Sequence, residues 1–365
     1  MSQTNDLTGR TVLVTGASGF LGSRTVAILT EQGCSVHALV RKTSRTDHLQ
    51  LPDVTIFYGD VADIESLQPA FEGIDYVVHA AADTSGNEEA GKLSTILGTR
   101  NILTLCERHK VRKLVYISSC SVYGVTDYKP GQKVNESSSL ERYPEKRGAY
   151  SHSKLKAEEL ITRAMKNETV PVVCLRPGTI YGPGGEIYTA MMGFSLGKRF
   201  FVIIGDGSFV LPLVYVDNLV DAIVIAIKTN ISDNKIYNVV DPVKVTKKEY
   251  VERVIKKLYP NSRTLYLPFN LLKTIVSIQS RFFSAINRKP LLTEYRLISS
   301  QKNITYDVSK ITRELSWRPP VSVERAFGNL IDHEKRQPQI LLESEKHELQ
   351  NLSHATTQRR DVKPT

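Results

Sequence analysis

Tyr150 and Lys154 stand four residues apart in "AYSHSK", at the head of the helical run "SHSKLKAEELITRAMK". Residues i and i+4 share a helix face, so the spacing brings a phenol and an ammonium side by side. A free tyrosine has a pKa of about 10 and is a poor base at neutral pH. A neighbouring ammonium and a positively charged nicotinamide ring would both favour the phenolate and bring it towards working pH. Proton chemistry of this kind also needs a donor to hold the substrate oxygen. "SSCSVYG" offers Ser118, Ser119 and Ser121 at the end of an apolar strand. Tyr-x-x-x-Lys alone is too common to establish any of this. A cofactor site and a fold that joins the parts are required.

A cofactor site is legible in "TVLVTGASGFLG". Gly16, Gly19 and Gly22 fall where a short β-rich run meets a helical pattern. Small residues there let the backbone approach a pyrophosphate, and the helix N-terminus stabilises its charge. Gly16, Ser18, Gly19, Phe20, Leu21 and Gly22 are therefore candidates for dinucleotide contact. An acid at the end of the second strand would bind the adenosine 2′-hydroxyl and repel a 2′-phosphate. Val40 stands there instead, followed by Arg41, Lys42 and Arg45. That favours NADP(H), with NAD(H) the alternative. Asp60, with Val61 after it, closes the third strand as a partner for the adenine amino group. Asp60 could equally cap the helix that "DVADIESL" starts.

These parts are positioned by six apolar strands: "TVLVT", "SVHALV", "VTIFYGD", "DYVVHAAA", "RKLVYISS" and "PVVCLRPG". Helical patterns intervene at about 62–72, 88–109 and 151–167. Such alternation predicts right-handed βαβ units and an α/β, Rossmann-type, doubly wound parallel sheet. "DNLVDAIVIAIKT" and "KIYNVVD" read as one more helix and strand returning to it. Residues 1–9 are then an N-terminal tail, and 10–180 with 213–243 a dinucleotide-binding domain. Residues 181–212 with 244–330 form a smaller, mostly helical C-terminal substrate lobe. The polar, aperiodic text of 331–365 reads as a disordered tail.

The 365 residues suffice for a large core, and 41% apolar with 24% charged is ordinary for a soluble globular protein. The first ten residues lack the apolar core of a signal peptide, and no apolar run is long enough to span a bilayer. Cys34, Cys106, Cys120 and Cys174 are widely spaced without zinc-like pairing, so no metal site is read. They suggest buried thiols in a reducing, cytoplasmic setting. The net charge of +10 is concentrated: Lys244 to Arg318 holds 16 Lys/Arg against 5 Asp/Glu, a net +11. A solvated basic face explains this as readily as attraction to an anionic ligand or membrane surface. No nucleic-acid motif accompanies the charge, so a nucleic-acid partner is not expected.

From about residue 10 to residue 330 the chain resembles the extended short-chain dehydrogenase/reductases, the NAD-dependent epimerase/dehydratase family. The likeness rests on six motifs in the family's order: the Gly16–Gly19–Gly22 loop, "HAAA", "SSCSVYG", Tyr150-x-x-x-Lys154, "LRPGTIYGPG" and "VYVDNLVDA". The resemblance implies that Ser119 is the catalytic serine, five residues before the glycine of "VYG". It implies that Tyr150 is the general acid/base, and that Lys154 holds the ribose hydroxyls and lowers the tyrosine's pKa. Ala80, Ala81 and Ala82 of the fourth-strand motif, with Pro177 and Gly178, are implied to lie against the cofactor. One departure is Thr95, where many members carry an asparagine before Gly-Thr. It weakens a proton relay through that position.

The resemblance leaves two reactions open. Sugar-nucleotide members typically have an arginine just before the "Phe-x-Tyr-Val-Asp" element, where it meets the diphosphate. Here Val210, Leu211, Pro212 and Leu213 stand there instead. That apolar text, and "NITYDVSKITRELSWRPPVSVERA", resemble the 3β-hydroxysteroid dehydrogenase-like branch. The expected activity is interconversion of a secondary alcohol and a ketone on a hydrophobic, steroid-, flavonoid- or lipid-like substrate. A nucleotide-sugar epimerase or dehydratase is the alternative, which the basic lobe could serve. A catalytically silent dinucleotide sensor is the alternative of another class, and the intact Ser119, Tyr150 and Lys154 oppose it. Within 267–290, Leu271, Ile275, Ile278, Phe282 and Ile286 recur at helical spacing, with Leu272, Val276 and Phe283 beside them. This is a helix packed on the lobe, or else a pocket lid or a peripheral membrane contact with Arg281, Arg288 and Lys289 facing headgroups. A homodimer remains open.

Overall fold

In the computed structural model, which describes residues 6–336 apart from Asn287, Lys289 and Leu291, the apolar runs form one seven-stranded sheet. Its strands, in chain order, are Thr11–Thr15, Ser35–Val40, Val54–Tyr58, Tyr76–His79, Lys113–Ile117, Val172–Pro177 and Lys235–Val239. Across the sheet they lie third, second, first, fourth, fifth, sixth, seventh, with every neighbouring pair parallel. The strand order reverses between the first and fourth strands, and crevices of such sheets open at that point. Tyr76–His79, Lys113–Ile117 and Val172–Pro177 are buried at every position, as a parallel sheet covered on both faces requires. Lys113 is the exception in chemistry only. Its ammonium pairs with Asp233 at 2.8 Å and donates to the carbonyls of Ala226, Ile227 and Thr229, ending the helix Val216–Lys228.

Local chemistry modifies the expected helices. Pro69 lacks an N–H, and the stretch 62–72 divides into an α turn Ile64–Leu67 and a 3₁₀ turn Gln68–Phe71. The stretch 88–109 forms one continuous helix whose middle, Gly91–Leu97, is π-helical. Helix Ala149–Asn167 starts one residue before Tyr150, with Gly148 at φ +116 as its N-cap. All four cysteines are free and buried, and burial pushes the Cys34 thiol up to about 11.

Three expectations change. Leu7 is fully buried, and its carbonyl accepts from Cys34 Sγ, so residues 6–9 are tied to the sheet rather than forming a loose tail. Residues 331–336, assigned to the polar tail, continue a helix over 323–336, because Leu330 and Ile331 sit in the core beside Phe327. The rest of the expected tail, 337–365, lies outside the described residues. The lobe also contains a three-stranded sheet, Gly193–Leu196, Phe200–Ile204 and Arg263–Leu267, within text that reads as loops and helices. Helix Phe269–Ala285 forms as its spacing predicts, with the longer apolar row outward. Val276 is buried at 3%, while Leu271, Ile275, Ile278, Phe282 and Ile286 are between 46% and 63% exposed.

Candidate active site

A cleft of ≈ 1000 Å³ lies at the carboxyl edge of the sheet, and the glycine loop forms its floor. Gly16 has φ +69, and a Cβ there would come within 2.9 Å of the Ala81 Cα. A Cβ on Gly22 would stand 2.1 Å from the Gly16 carbonyl oxygen, so only glycine lets the helix start this close to the strand. Helix Phe20–Glu31 has Gly19 as N-cap, no side-chain cap and no acid in its first turn. Its first N–H groups are therefore left for a ligand, and Ser18, Gly19, Phe20, Leu21 and Gly22 all line the cleft. This is an anion cradle, and the residues present fit a dinucleotide pyrophosphate.

At the adenosine end the sequence reading needs one change. Arg41 lines the cleft but Lys42 and Arg45 do not, and Ser44 takes their place. A tight turn in which Ser44 N–H donates to the Arg41 carbonyl at 2.9 Å brings its two ends to the cleft and turns Lys42 away. Asp60 and Val61 line the same end. Asp60 is not the helix cap. Asp63 caps Ile64–Leu67, while among the described residues the Asp60 carboxylate accepts only from Ala62 N–H, through Oδ1, which leaves Oδ2 for a donor. Ala80, Ala81 and Ala82 also line the cleft, fixed from below by a buried relay. Thr15 Oγ1 lies 2.7 Å from His79 Nδ1 and accepts from Ala81 N–H, and His79 Nε2 lies 3.1 Å from Thr99 Oγ1. Burial pushes His79 down to about 3, so the ring is neutral.

Ser119, Tyr150 and Lys154 meet in this cleft, with Pro177 and Gly178 opposite. Of the three serines, geometry distinguishes one. Ser118 Oγ donates to Glu158 Oε2 at 2.5 Å and is committed to the interior. Ser121 Oγ is buried and has no hydrogen-bond partner among the described residues. Ser119 Oγ accepts from Ser121 N–H at 3.1 Å and stands on the Tyr150 phenol's side of the cleft, where it favours the phenolate. Burial nevertheless raises Tyr150 above its ordinary pKa, and the Ser119 hydroxyl only partly offsets it. The Lys154 ammonium donates to the Ile117 carbonyl at 2.7 Å, and burial pushes it down to about 8. Thr95, at the departure from the family pattern, is buried in the π-helical segment, where its Oγ1 accepts from Asp83 N–H.

Behind the cleft lies a set of groups that the motifs do not name. Glu158 follows Lys154 by one more turn on the same face and ion-pairs with Arg176 of the sixth strand, both side chains 2% exposed. Arg176 Nε also donates to both Glu158 oxygens, and its Nη1 donates to Tyr123 Oη at 2.8 Å. Tyr123 Oη in turn donates to Asn238 Oδ1 at 2.6 Å. The helix that carries Tyr150 and Lys154 is thereby fastened to the sixth and seventh strands.

The model of the NAD dependent epimerase/dehydratase family matches residues 12–239. The chain belongs to that family. Among its relatives, the 2-alkyl-3-oxoalkanoate reductase of Stenotrophomonas maltophilia is 26% identical over 87% of this chain and 98% of its own. The 3beta-hydroxysteroid-dehydrogenase/decarboxylase isoform 1 of Arabidopsis thaliana is 27% identical over 75% of this chain and 65% of its own. Among solved structures, the UDP-glucose 4-epimerase of Thermotoga maritima superposes with a TM-score of 0.70 over 90% of this chain and 99% of its own, at 20% identity. That likeness concerns the fold.

Family membership directs attention to the substrate end of the cleft. Of the apolar stretch Val210–Leu213 only Pro212 lines it, because Leu211 and Leu213 point into the core at 3% exposure each. The Pro212 carbonyl crowds Gly178, where a Cβ would come within 2.1 Å of its oxygen. None of the stripe Leu271–Ile286 reaches the cleft. The wall is completed by Ile180, Met191 and Tyr306, and by Arg147, which sequence reasoning passed over. Arg147 Nη1 is already engaged, donating to the Tyr123 carbonyl at 2.9 Å and pairing with Glu141 at 3.5 Å.

Proposed function

We propose that the chain is an NADP(H)-preferring oxidoreductase that interconverts a secondary alcohol and a ketone on a hydrophobic substrate of steroid, flavonoid or lipid type. The observation that carries this reading is the convergence of Ser119, Tyr150 and Lys154 with the glycine loop in a single cleft. When bound, the nicotinamide ring exchanges a hydride with the substrate carbon. In reduction, Tyr150 Oη gives its proton to the substrate oxygen while the Ser119 hydroxyl donates a hydrogen bond to it. A phenol kept protonated by burial is in the right state to act as that acid. The Lys154 ammonium, held by the Ile117 carbonyl, is placed to hold ribose hydroxyls and to keep positive charge near the phenol.

The substrate class is supported by what the cleft does not offer. Among the described residues the cations lining it are Arg41, Lys154 and Arg147, and the last is bound to Glu141 and a carbonyl. A diphosphate at the substrate end would have Arg147 as its one cation, with Nη1 already engaged, and two phosphates so weakly matched are costly in a partly desolvated site. Two relatives, a 3beta-hydroxysteroid-dehydrogenase/decarboxylase and a 2-alkyl-3-oxoalkanoate reductase, support the same reading.

Cofactor choice is tested at Arg41. NADPH is expected to bind more tightly than NADH, since a charge-assisted contact to the 2′-phosphate is worth ~1.5–3 kcal/mol. Arg41→Ala should weaken NADPH by ~10- to 100-fold and leave NADH nearly unchanged, read by fluorescence titration. Equal affinities in the wild type, or a preference for NADH that survives the substitution, would make NAD(H) the cofactor.

A further inference from the structure

The helix Phe269–Ala285 presents its greasiest side to solvent, which a helix serving only the fold does not do. Leu271, Ile275, Ile278, Phe282 and Ile286 recur at steps of four, three, four and four, so they form one stripe, and all five are exposed. The orientation is fixed from behind. Glu294 pairs with Lys273 at 3.0 Å and accepts from Ser277 Oγ at 3.0 Å, while Val276 is buried. Pro268 joins this helix directly to strand Arg263–Leu267, whose sheet exposes further apolar residues: Phe194, Leu196, Phe200 and Leu265. Register places Phe194 and Leu265 across Val202, and Leu196 across Phe200, so these four share one face.

The two segments that carry these residues hold charge of one sign, and Glu294, the acid packed against the helix, is paired with Lys273. Residues 263–288 contain Arg263, Lys273, Arg281 and Arg288 and no acid, and residues 193–204 contain Lys198 and Arg199 and no acid. Apart from Lys273 these cations are exposed, and among the described residues none of those five forms an ion pair. We infer that this face docks on a bilayer bearing anionic phospholipids, with the stripe in the headgroup–acyl boundary and the cations against headgroups. An apolar stripe rimmed by Lys/Arg has the composition of an interfacial helix, and anionic lipid attracts the rim. A second copy of the chain fits worse, because a symmetric contact would set this cationic surface against itself. Among the described residues no helix is long and apolar enough to cross a membrane, so the contact is peripheral. The inference concerns a surface outside the cleft and does not depend on which reaction the cleft performs.

The test is co-sedimentation of the full chain with phosphatidylcholine vesicles and with phosphatidylcholine vesicles containing phosphatidylserine. Wild type should pellet with the anionic vesicles and be released by high salt. Ile278→Asp/Phe282→Asp and, separately, Arg281→Glu/Arg288→Glu should each weaken that binding about tenfold or more, with unchanged NADPH affinity showing that the cleft is intact. The inference is overturned if wild type stays in solution with both vesicles, if it binds both equally, or if neither variant weakens binding. It is also overturned if sedimentation velocity shows a dimer that Ile278→Asp/Phe282→Asp dissociates while vesicle binding is absent.

Discussion

Replacing Tyr150 by Phe should lower turnover by ~10²–10⁴-fold, the usual contribution of a positioned acid or base. The ring and its packing survive, and one oxygen is lost. NADPH affinity should therefore stay within about twofold of wild type. Lys154→Met should damage both quantities, since the proposed mechanism gives its ammonium the ribose hydroxyls as well as the phenol. Turnover is read with the best ketone found and affinity by titration. Near-wild-type turnover in Tyr150→Phe would remove the phenol from the mechanism.

The other large effect is on stability. Glu158→Ala would leave the Arg176 guanidinium 2% exposed beside an empty space, without its carboxylate. Breaking a buried pair from one side costs ~3–5 kcal/mol, because an uncompensated charge remains in the interior. Glu158→Ala should thus move the urea midpoint sharply, whereas Glu158→Met/Arg176→Met should cost less than the single change. A loss below about 1 kcal/mol in Glu158→Ala would mean that Arg176 finds water or another partner, and that the helix is not fastened there.

The sheet was legible because its strands are continuous apolar runs bounded by glycine, proline and charge, a pattern that needs no knowledge of partners. The glycine loop was legible for a related reason: the clash at Gly22 is a local property of a strand turning at once into a helix. What escaped depends on the far side of each element. Glu158 continues the 150–154 face by four residues, and Arg176 is the lone cation in "VVCLRP". Together these two signals could have suggested a buried pair, but neither residue names the other. The exchange of Lys42 for Ser44 hangs on a single turn hydrogen bond, and Arg41, Lys42 and Arg45 look equivalent as text. For the helix Phe269–Ala285 the periodicity identified both apolar rows but could not say which one packs inward. Val276 and its neighbours took that role, and the longer stripe was left outside. Strand Phe200–Ile204 is buried at four of its five positions, so it lacks the alternation that marks a half-exposed strand.

Interconversion of a hydrophobic ketone and its alcohol is tested most directly by following NADPH oxidation by the purified chain with ketosteroids and flavonoid ketones and, in parallel, by chromatographic analysis of nucleotide sugars incubated with the chain and oxidised cofactor, with Tyr150→Phe as control. The expected result is NADPH-dependent reduction of at least one hydrophobic ketone, lost in Tyr150→Phe, and no conversion of any nucleotide sugar. Epimerisation or dehydration of a nucleotide sugar, with no turnover of any hydrophobic ketone or alcohol, would contradict it.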